Sequence, residues 1–424
     1  MRVAIIVMGD FGRSPRMQYH ALALADEGAA VDVIAYQGCA PSREIADQTK
    51  IRLHLIADRA VASRSGRSLG FFASSALRLL MQTLRLLWLL LVKLERPDFF
   101  LVQNPPAVPA MAVALLAARL RSAKMVIDWH NFSHSMLALR LGREHRAVRM
   151  LRRCEQILGP LARGHLCVSR AMQLELERNW RIPGASLLYD RPARMFVPVP
   201  RESRSVVLGR VLRHLPISMA DAERPAIIVS PTSWTRDEEI AILIEAAKLC
   251  DRMIQDLTDG VFTDVLVLIT GQGPARARHE DEIARLTLRK FHLRTLWLEA
   301  EDYVQLLGAA DLGVCCHRSA SGVDLPMKIS DMFGAGIPVC ALDYGPCLSE
   351  LVRNGENGLL FEGAEQLASQ FYELLAGFPA PNALLSRLRA NVLEQRKTSW
   401  PDGWKSEAAS LFVTGASGVS GSSG

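Results

Sequence analysis

Short apolar runs alternate with stretches of helical period along nearly the whole chain. Runs at residues 3–8, 31–36, 51–56, 98–106, 124–131, 165–169 and 187–192 make a first series, and runs at 226–230, 265–270, 295–298, 309–316, 338–341 and 357–361 a second. Most are apolar at consecutive rather than alternate positions, as in strands buried on both faces. Strands and helices in alternation predict an α/β chain with two parallel sheets. The pattern sets a first domain over 1–195 and a linker over 196–224, where Pro198, Pro200 and Pro216 break the periodicity. A second domain over 225–392, a C-terminal helix over 393–413 and a disordered Gly/Ser tail over 414–424 follow.

One segment departs from the alternation. Leu69–Leu94, LGFFASSALRLLMQTLRLLWLLLVKL, carries only Arg78, Arg85 and Lys93 as charges. Its uncharged stretch after Arg78 is far short of the roughly 20 apolar residues that span a bilayer. It reads either as a buried helix of the first domain or as an interfacial helix lying in a membrane surface, with room for both on opposite faces.

In open α/β sheets ligands gather outside the carboxyl ends of strands, so the residues after each run are the candidate site. After the first run come Asp10, Gly12, Arg13 and Arg16; after the fourth, Asn104; after the fifth, His130 and Asn131. Gly9 and Gly12 give a G-x-x-G spacing, not the dinucleotide fingerprint, which disfavours NAD. The guanidinium groups of Arg13 and Arg16 suit an anionic substrate. A histidine at a strand end beside Asp128 and Asn131 suits proton transfer. In the second series Ser233, Trp234 and Thr235 follow the first run, Gly271 and Gly273 the second, and Glu299 the third. The stretch HRSASGVDLPMKISDMFGAGIPV, residues 317–339, then passes through the small residues Ser321 and Gly322 to Asp324, Leu325, Pro326 and Lys328. Pro326 is expected in the first turn of a helix that carries Lys328 and Asp331. A helix N-terminus with a lysine one turn in is an anion site suited to phosphate.

Composition narrows the partners. At 424 residues, with 49% hydrophobic and 22% charged, the chain has the makings of two cores and is not a disordered one. A net charge of +6 suits diphosphates and anionic lipid heads, and no basic tract interleaved with aromatics points to nucleic acid. The eight cysteines are scattered without a C-x-x-C pair, the usage of a reducing compartment rather than of disulfides or zinc. Met1 and Arg2 run straight into the first strand, so no leader or N-terminal transmembrane helix is expected.

The motifs in order are GDFGRSPRMQYHA, QNPP, VIDWHN, LYDRPA, the S-x-T-S-W-T of residues 230–235, TGQGP, WLEAEDY, ADLGVC, SG-x-DLPMK with DMFG, and ENGLLFE. As a set they resemble the dolichol-pathway beta-1,4-mannosyltransferase family, the chitobiosyldiphosphodolichol beta-mannosyltransferases. The segment closed by G-x-P-V also resembles the nucleotide-sugar signature of GT-B glycosyltransferases. Many retaining enzymes of that fold carry a pair of glutamates there; here the pair is Asp324 and Asp331, seven residues apart.

The resemblance implies a GT-B fold, two Rossmann-like domains facing across a cleft. It implies an inverting transfer of mannose from GDP-mannose to N,N'-diacetylchitobiosyl-diphosphodolichol, the first mannosylation of the lipid-linked oligosaccharide for N-glycosylation. The reaction is expected at the cytosolic face of the endoplasmic reticulum membrane, with no cofactor and no metal ion. An alpha-linked donor giving a beta product needs a base for the acceptor hydroxyl and a receiver for the departing diphosphate. His130 or Asp10 is the candidate base, and Gly12, Arg13, Arg16, Asn104 and Asn131 are candidate acceptor contacts. Ser233, Trp234, Thr235, Gly271, Gly273, Glu299, Ser321, Gly322, Asp324, Leu325, Lys328 and Asp331 are candidate donor contacts, with Asp331 or Glu299 on ribose or guanine. The family's usual N-terminal anchor is not read here, which moves the expected membrane contact to Leu69–Leu94. Other dolichol-pathway mannosyltransferases are candidate partners. Two further readings stand beside this one: a glycosyltransferase for another lipid acceptor, and a non-catalytic subunit that binds nucleotide sugar or lipid diphosphate.

Overall fold

The computed structural model describes residues 1–56, 80–215, 224–256, 262–380, 382–396 and 400–413. The chain divides into two compact units: Met1–Tyr189 joined by the C-terminal segment from Pro401, and Asp190–Trp400.

The first unit runs β1 (Arg2–Asp10), α1 (Pro15–Asp26), β2 (Ala30–Tyr36), α2 (Arg43–Asp47), β3 (Ile51–Ile56) and α3, residues 80–88 continued by a π turn at Leu89–Lys93. It goes on through β4 (Phe99–Asn104), α4 (Ala110–Leu120), β5 (Lys124–Trp129), α5 (Ser133–Leu141), α6 (Arg146–Leu158), β6 (Gly164–Cys167), α7 (Arg170–Trp180) and the short β7 (Ser186–Leu187). All seven strands pair parallel in the order β3-β2-β1-β4-β5-β6-β7. Because the order reverses between β1 and β4, their carboxyl ends flank the place where such sheets open for a ligand. Val3 to Val7 and Phe99 to Val102 are buried, as continuous apolar runs require.

α3 has two faces. Leu86, Leu89 and Leu90 are buried, and Arg121 at the end of α4 donates to the carbonyls of Leu90 and Leu94 at 2.6 and 2.9 Å. Leu80, Met81, Leu84, Trp88 and Val92, at helical spacing, are 51% to 68% exposed. Residues 69–79 of the Leu69–Leu94 segment lie outside the described residues. Among the described residues no helix is long and apolar enough to cross a membrane.

The second unit runs α8 (Arg204–Val211), β8 (Ala226–Pro231), α9 (Ile240–Gln255), β9 (Val265–Thr270), α10 (Arg276–Ala284), β10 (Phe291–Leu296), α11 (Ala300–Ala309) and β11 (Leu312–Cys315). Then come α12 (Met327–Gly334), β12 (Val339–Leu342), β13 (Gly358–Phe361), α13 (Ala364–Leu375) and α14 (Ala383–Gln395). Its six strands are parallel in the order β10-β9-β8-β11-β12-β13. Ile227, Val229, Leu266 and Leu268 enter one apolar layer, and Ile228 and Val267 the layer on the other face. This sheet too is covered on both sides.

Two boundaries differ from the expected ones. The second unit begins at Asp190, and much of the expected 196–224 linker belongs to it: Leu208 and Val211 of α8 sit in its core, and Val199 N–H donates to Gly308 O at 2.9 Å. The expected C-terminal helix over 393–413 is divided, since α14 ends at Gln395 in the second unit and α15 (Trp400–Glu407) leads back to the first. There Phe412 meets Phe99 edge-on at 5.5 Å and stacks on Trp404 at 5.9 Å between ring centres. Burial of these rings, not the hydrophobic period of the segment, decides where it docks.

Candidate active site

In the first unit β5 ends at Trp129, and His130 follows with its N–H on Asn104 O at 2.9 Å. The His130 side chain is 19% exposed, and its Nε2 lies 2.7 Å from Asp128 Oδ2. Asp128 is wholly buried and also accepts from Arg16 Nε and Nη2, both at 2.8 Å, and from His20 Nε2 at 3.0 Å. Burial alone would raise the Asp128 pKa, but Arg16, His130 and His20 hold it well below the carboxylate range. An ionised Asp128 only accepts, so both imidazoles present Nε2–H to it. With Nε2–H given to Asp128, Nδ1 is the His130 atom left for proton transfer to or from a substrate. Trp404 Nε1 donates to His20 Nδ1 at 3.0 Å, which fixes the same tautomer there, and burial lowers the His20 pKa so that it stays neutral.

The other expected first-unit residues divide by how far their polar atoms are already engaged. Arg16 is 1% exposed and donates Nη1 to Leu188 O at 2.8 Å besides its pair with Asp128, so its charge serves the fold. Arg13 is 66% exposed, with Nε 3.3 Å from Cys39 Sγ. Asp10 accepts from Gly12 N–H at 3.0 Å and from Cys39 N–H at 3.0 Å, with Arg13 at 3.6 Å. Burial pulls its pKa up, but these donors bring it below the ordinary value, which makes Asp10 a weak base. Gly12 meets a packing need: a Cβ there would stand 2.4 Å from Cys39 O. Asn104 is wholly buried, donating to Asn131 O at 3.1 Å and Glu155 Oε1 at 3.0 Å while accepting from Ser133 Oγ at 2.9 Å. Asn131 caps its own loop through Phe132 N–H at 2.7 Å. Glu155 is a residue the sequence reading passed over; fully buried, it accepts from the N–H groups of Ser133 and His134 at 2.7 and 3.1 Å and holds the start of α5 beside His130. Its signal was its register: Val148, Leu151 and Glu155 share one inward stripe of α6, where an acid needs partners.

In the second unit the loop after β11 is built on a buried ion pair. His317 has Nδ1 3.4 Å from Asp237 and Nε2 3.5 Å from Asp324. Burial would lower its pKa, but the two carboxylates raise it to about 9, so the ring is an imidazolium. Asp324 also accepts from the hydroxyls of Ser319 and of Ser321, the latter at 3.0 Å, and its carbonyl accepts from Tyr344 Oη–H at 2.8 Å. Gly322, with φ +77°, directs its N–H to Ser319 Oγ at 2.7 Å. Ser321, Gly322 and Asp324 thus give the loop its shape, with Leu325 half-buried behind them. α12 starts at Met327, so Pro326 holds the N-cap position rather than a place in the first turn.

Lys328, in that first turn, pairs with Glu238 and lies 3.5 Å from Ser233 Oγ. Burial lowers its pKa to about 8 against the pull of Asp237, and it remains charged at neutral pH. Ser233 and Thr235 are exposed, whereas Trp234 is 1% exposed and donates Nε1–H to Gly271 O at 3.1 Å. A Cβ on Gly271 would stand 1.8 Å from Thr232 O, and one on Gly273 1.8 Å from Ser233 O. Both glycines and Trp234 therefore stack the loops after β8 and β9, and Ser233 is left facing out near Lys328. Glu299 is exposed at the N-cap of α11 without capping it. Burial and nearby Asp190 push Asp331 up to about 8, so this partly exposed carboxyl is protonated at neutral pH. Among the described residues no group of three or more His, Cys, Asp or Glu side chains is arranged to hold a metal ion.

Two family models match the chain, a glycosyl transferase 4-like domain over residues 12–193 and glycosyl transferases group 1 over residues 226–377. The chain is 37% identical to the chitobiosyldiphosphodolichol beta-mannosyltransferase of Mus musculus, over 97% of this chain and 89% of that one. The chain belongs to the chitobiosyldiphosphodolichol beta-mannosyltransferase family. It is also 40% identical to UDP-glycosyltransferase TURAN of Arabidopsis thaliana, over 97% of each chain. Sucrose-phosphate synthase from Thermosynechococcus elongatus shares the fold with a TM-score of 0.65 at 15% identity, over 97% of each chain. The family is one of glycosyltransferases, and the two Rossmann-like units are those of its GT-B fold.

Proposed function

We propose that the chain is an inverting beta-1,4-mannosyltransferase that moves mannose from GDP-mannose to N,N'-diacetylchitobiosyl-diphosphodolichol. The observation that supports this reading is the 37% identity, over 97% of this chain, to an enzyme whose name gives that acceptor and a beta-mannosyl transfer. The acceptor hydroxyl attacks mannose C1 from the face opposite GDP. Its proton passes to Nδ1 of His130, and the bond from C1 to the phosphate oxygen breaks with its electron pair leaving on GDP. Asp128, ionised and buried, steadies the imidazolium as it forms. Lys328, the Ser233 hydroxyl and the first-turn N–H groups of α12 receive the charge on the departing diphosphate, a role that needs no metal ion. The exposed carboxylate of Glu299 suits the two adjacent N–H donors on the guanine edge, and protonated Asp331 suits donation to a ribose oxygen. Arg13, exposed and cationic, suits the acceptor's diphosphate.

The work site is the cytosolic face of the endoplasmic reticulum membrane, which α3 meets with the exposed face of Leu80, Met81, Leu84, Trp88 and Val92. The name of the Arabidopsis relative favours a second reading, a UDP-sugar donor; competition by GDP against UDP in the transfer assay separates the two. Replacing His130 by Ala is the test of the base. Turnover should fall about 10²- to 10⁴-fold with GDP binding unchanged, and near-normal turnover would remove His130 from the role.

A further inference from the structure

Lys328, assigned above to the donor's diphosphate, is paired with a carboxylate of the chain itself. Glu238 lies on the segment after β8, and its side chain is 4% exposed. One carboxylate oxygen, Oε2, accepts from the Thr232 hydroxyl and from Ser233 N–H at 2.5 Å, and the other, Oε1, is paired with Lys328 Nζ. Lys328 in turn lies 3.5 Å from Ser233 Oγ. An ammonium, a hydroxyl and a loop N–H converging on two oxygens are the donor set that a phosphate group takes. The backbone beneath Glu238 is fastened to the loop after β11: Glu239 N–H donates to Cys316 O at 2.9 Å and Arg318 N–H to Asp237 O at 2.7 Å. His317, held between Asp237 and Asp324, ties the same two loops. The Glu238 N–H donates to Thr235 O at 3.1 Å, so these backbone bonds do not depend on where its side chain lies.

We infer that Glu238 is an internal competitor for the donor's diphosphate: its carboxylate fills the phosphate position in the empty site and swings out when the nucleotide binds. The inference rests on reading Lys328 and Ser233 as the diphosphate site. Two anions cannot share one ammonium and one N–H without repulsion in a buried place, so one displaces the other. In the empty site the carboxylate satisfies Lys328 and keeps the donors in place. After transfer its return helps to expel GDP, so that product leaves at the expense of ground-state affinity.

The test measures Kd for GDP, guanosine and inorganic pyrophosphate on the full chain, for the wild type and for Glu238→Gln, Glu238→Ala and Lys328→Met. Glu238→Gln keeps the shape and removes the charge; Glu238→Ala serves if the amide does not fold. The expected result is at least fivefold tighter GDP and pyrophosphate binding in the Glu238 variants, guanosine unchanged, and weaker GDP binding in Lys328→Met. If both Glu238 variants bind GDP no tighter while Lys328→Met binds it more weakly, the diphosphate reading stands and the competition is wrong, Glu238 being a positioning residue for Lys328. If Lys328→Met binds GDP as the wild type does, the diphosphate reading itself fails and the competition falls with it.

Discussion

Arg16 is the residue for which sequence and structure make opposite predictions, and Arg16→Met separates them. Its position after the first strand suggests a ligand for an anionic substrate. In the structure its guanidinium is 1% exposed, makes two 2.8 Å bonds to wholly buried Asp128 and a third of 2.8 Å to Leu188 O. Removing it strips buried Asp128 of its guanidinium partner and leaves the His20 and His130 imidazoles beside it. Breaking such a buried pair from one side costs about 3–5 kcal/mol. For a domain of ordinary size, at about 2–4 °C per kcal/mol, the melting point of the first unit should fall by roughly 6–20 °C. Thermal unfolding followed by circular dichroism measures this, with acceptor KM taken on whatever fraction stays folded. Arg16→Lys keeps a charge but not the two-pronged geometry and should recover only part of the loss. A variant as stable as the wild type, with a raised KM for the lipid acceptor alone, would refute the structural role and return Arg16 to the substrate.

Two other expectations follow from single interactions. His317 has its folded pKa raised from 6.5 to about 9, so its contribution to stability is complete below about pH 6.5 and is lost as pH rises through 9. The shift corresponds to about 3 kcal/mol at most; urea midpoints of the second unit should fall between pH 6.5 and 9.5, His317→Gln should flatten that fall, and an unchanged slope would count against the buried imidazolium. On α3, Leu84→Glu with Trp88→Glu places charge on a face that is 51% and 52% exposed at those positions. At about 1.5–3 kcal/mol for each apolar side chain fully buried, co-sedimentation with anionic vesicles should weaken at least tenfold, with melting temperature unchanged; equal sedimentation would take α3 off the membrane.

The strands of both sheets were legible because a parallel strand covered on both faces reads as an unbroken apolar run, as in Val3–Val7 or Val265–Ile269. Their carboxyl ends were legible for the same reason, which placed His130 and Lys328 at the rims. What each polar group does there was not legible, since its partner is remote in sequence. Arg16 and Asp128 are 112 residues apart, and Trp404 reaches His20 across 384. Gly271 and Gly273 look like a phosphate loop in sequence, and only the approach of the Thr232 and Ser233 carbonyls shows why a side chain is excluded. The return of the chain from α14 to the first unit was not legible in the helical period of the segment, because it depends on where Trp404 and Phe412 find a hydrophobic seat.

Inverting mannosyl transfer to a lipid diphosphate without a metal ion is directly measurable. The most direct test incubates the full chain with GDP-mannose and phytanyl-diphosphate-linked chitobiose in the presence of EDTA, then digests the product. A mannosylated lipid formed despite the chelator and cleaved by beta-mannosidase is the predicted result. A product resistant to that enzyme, or no product from a protein that still binds GDP, would contradict the account.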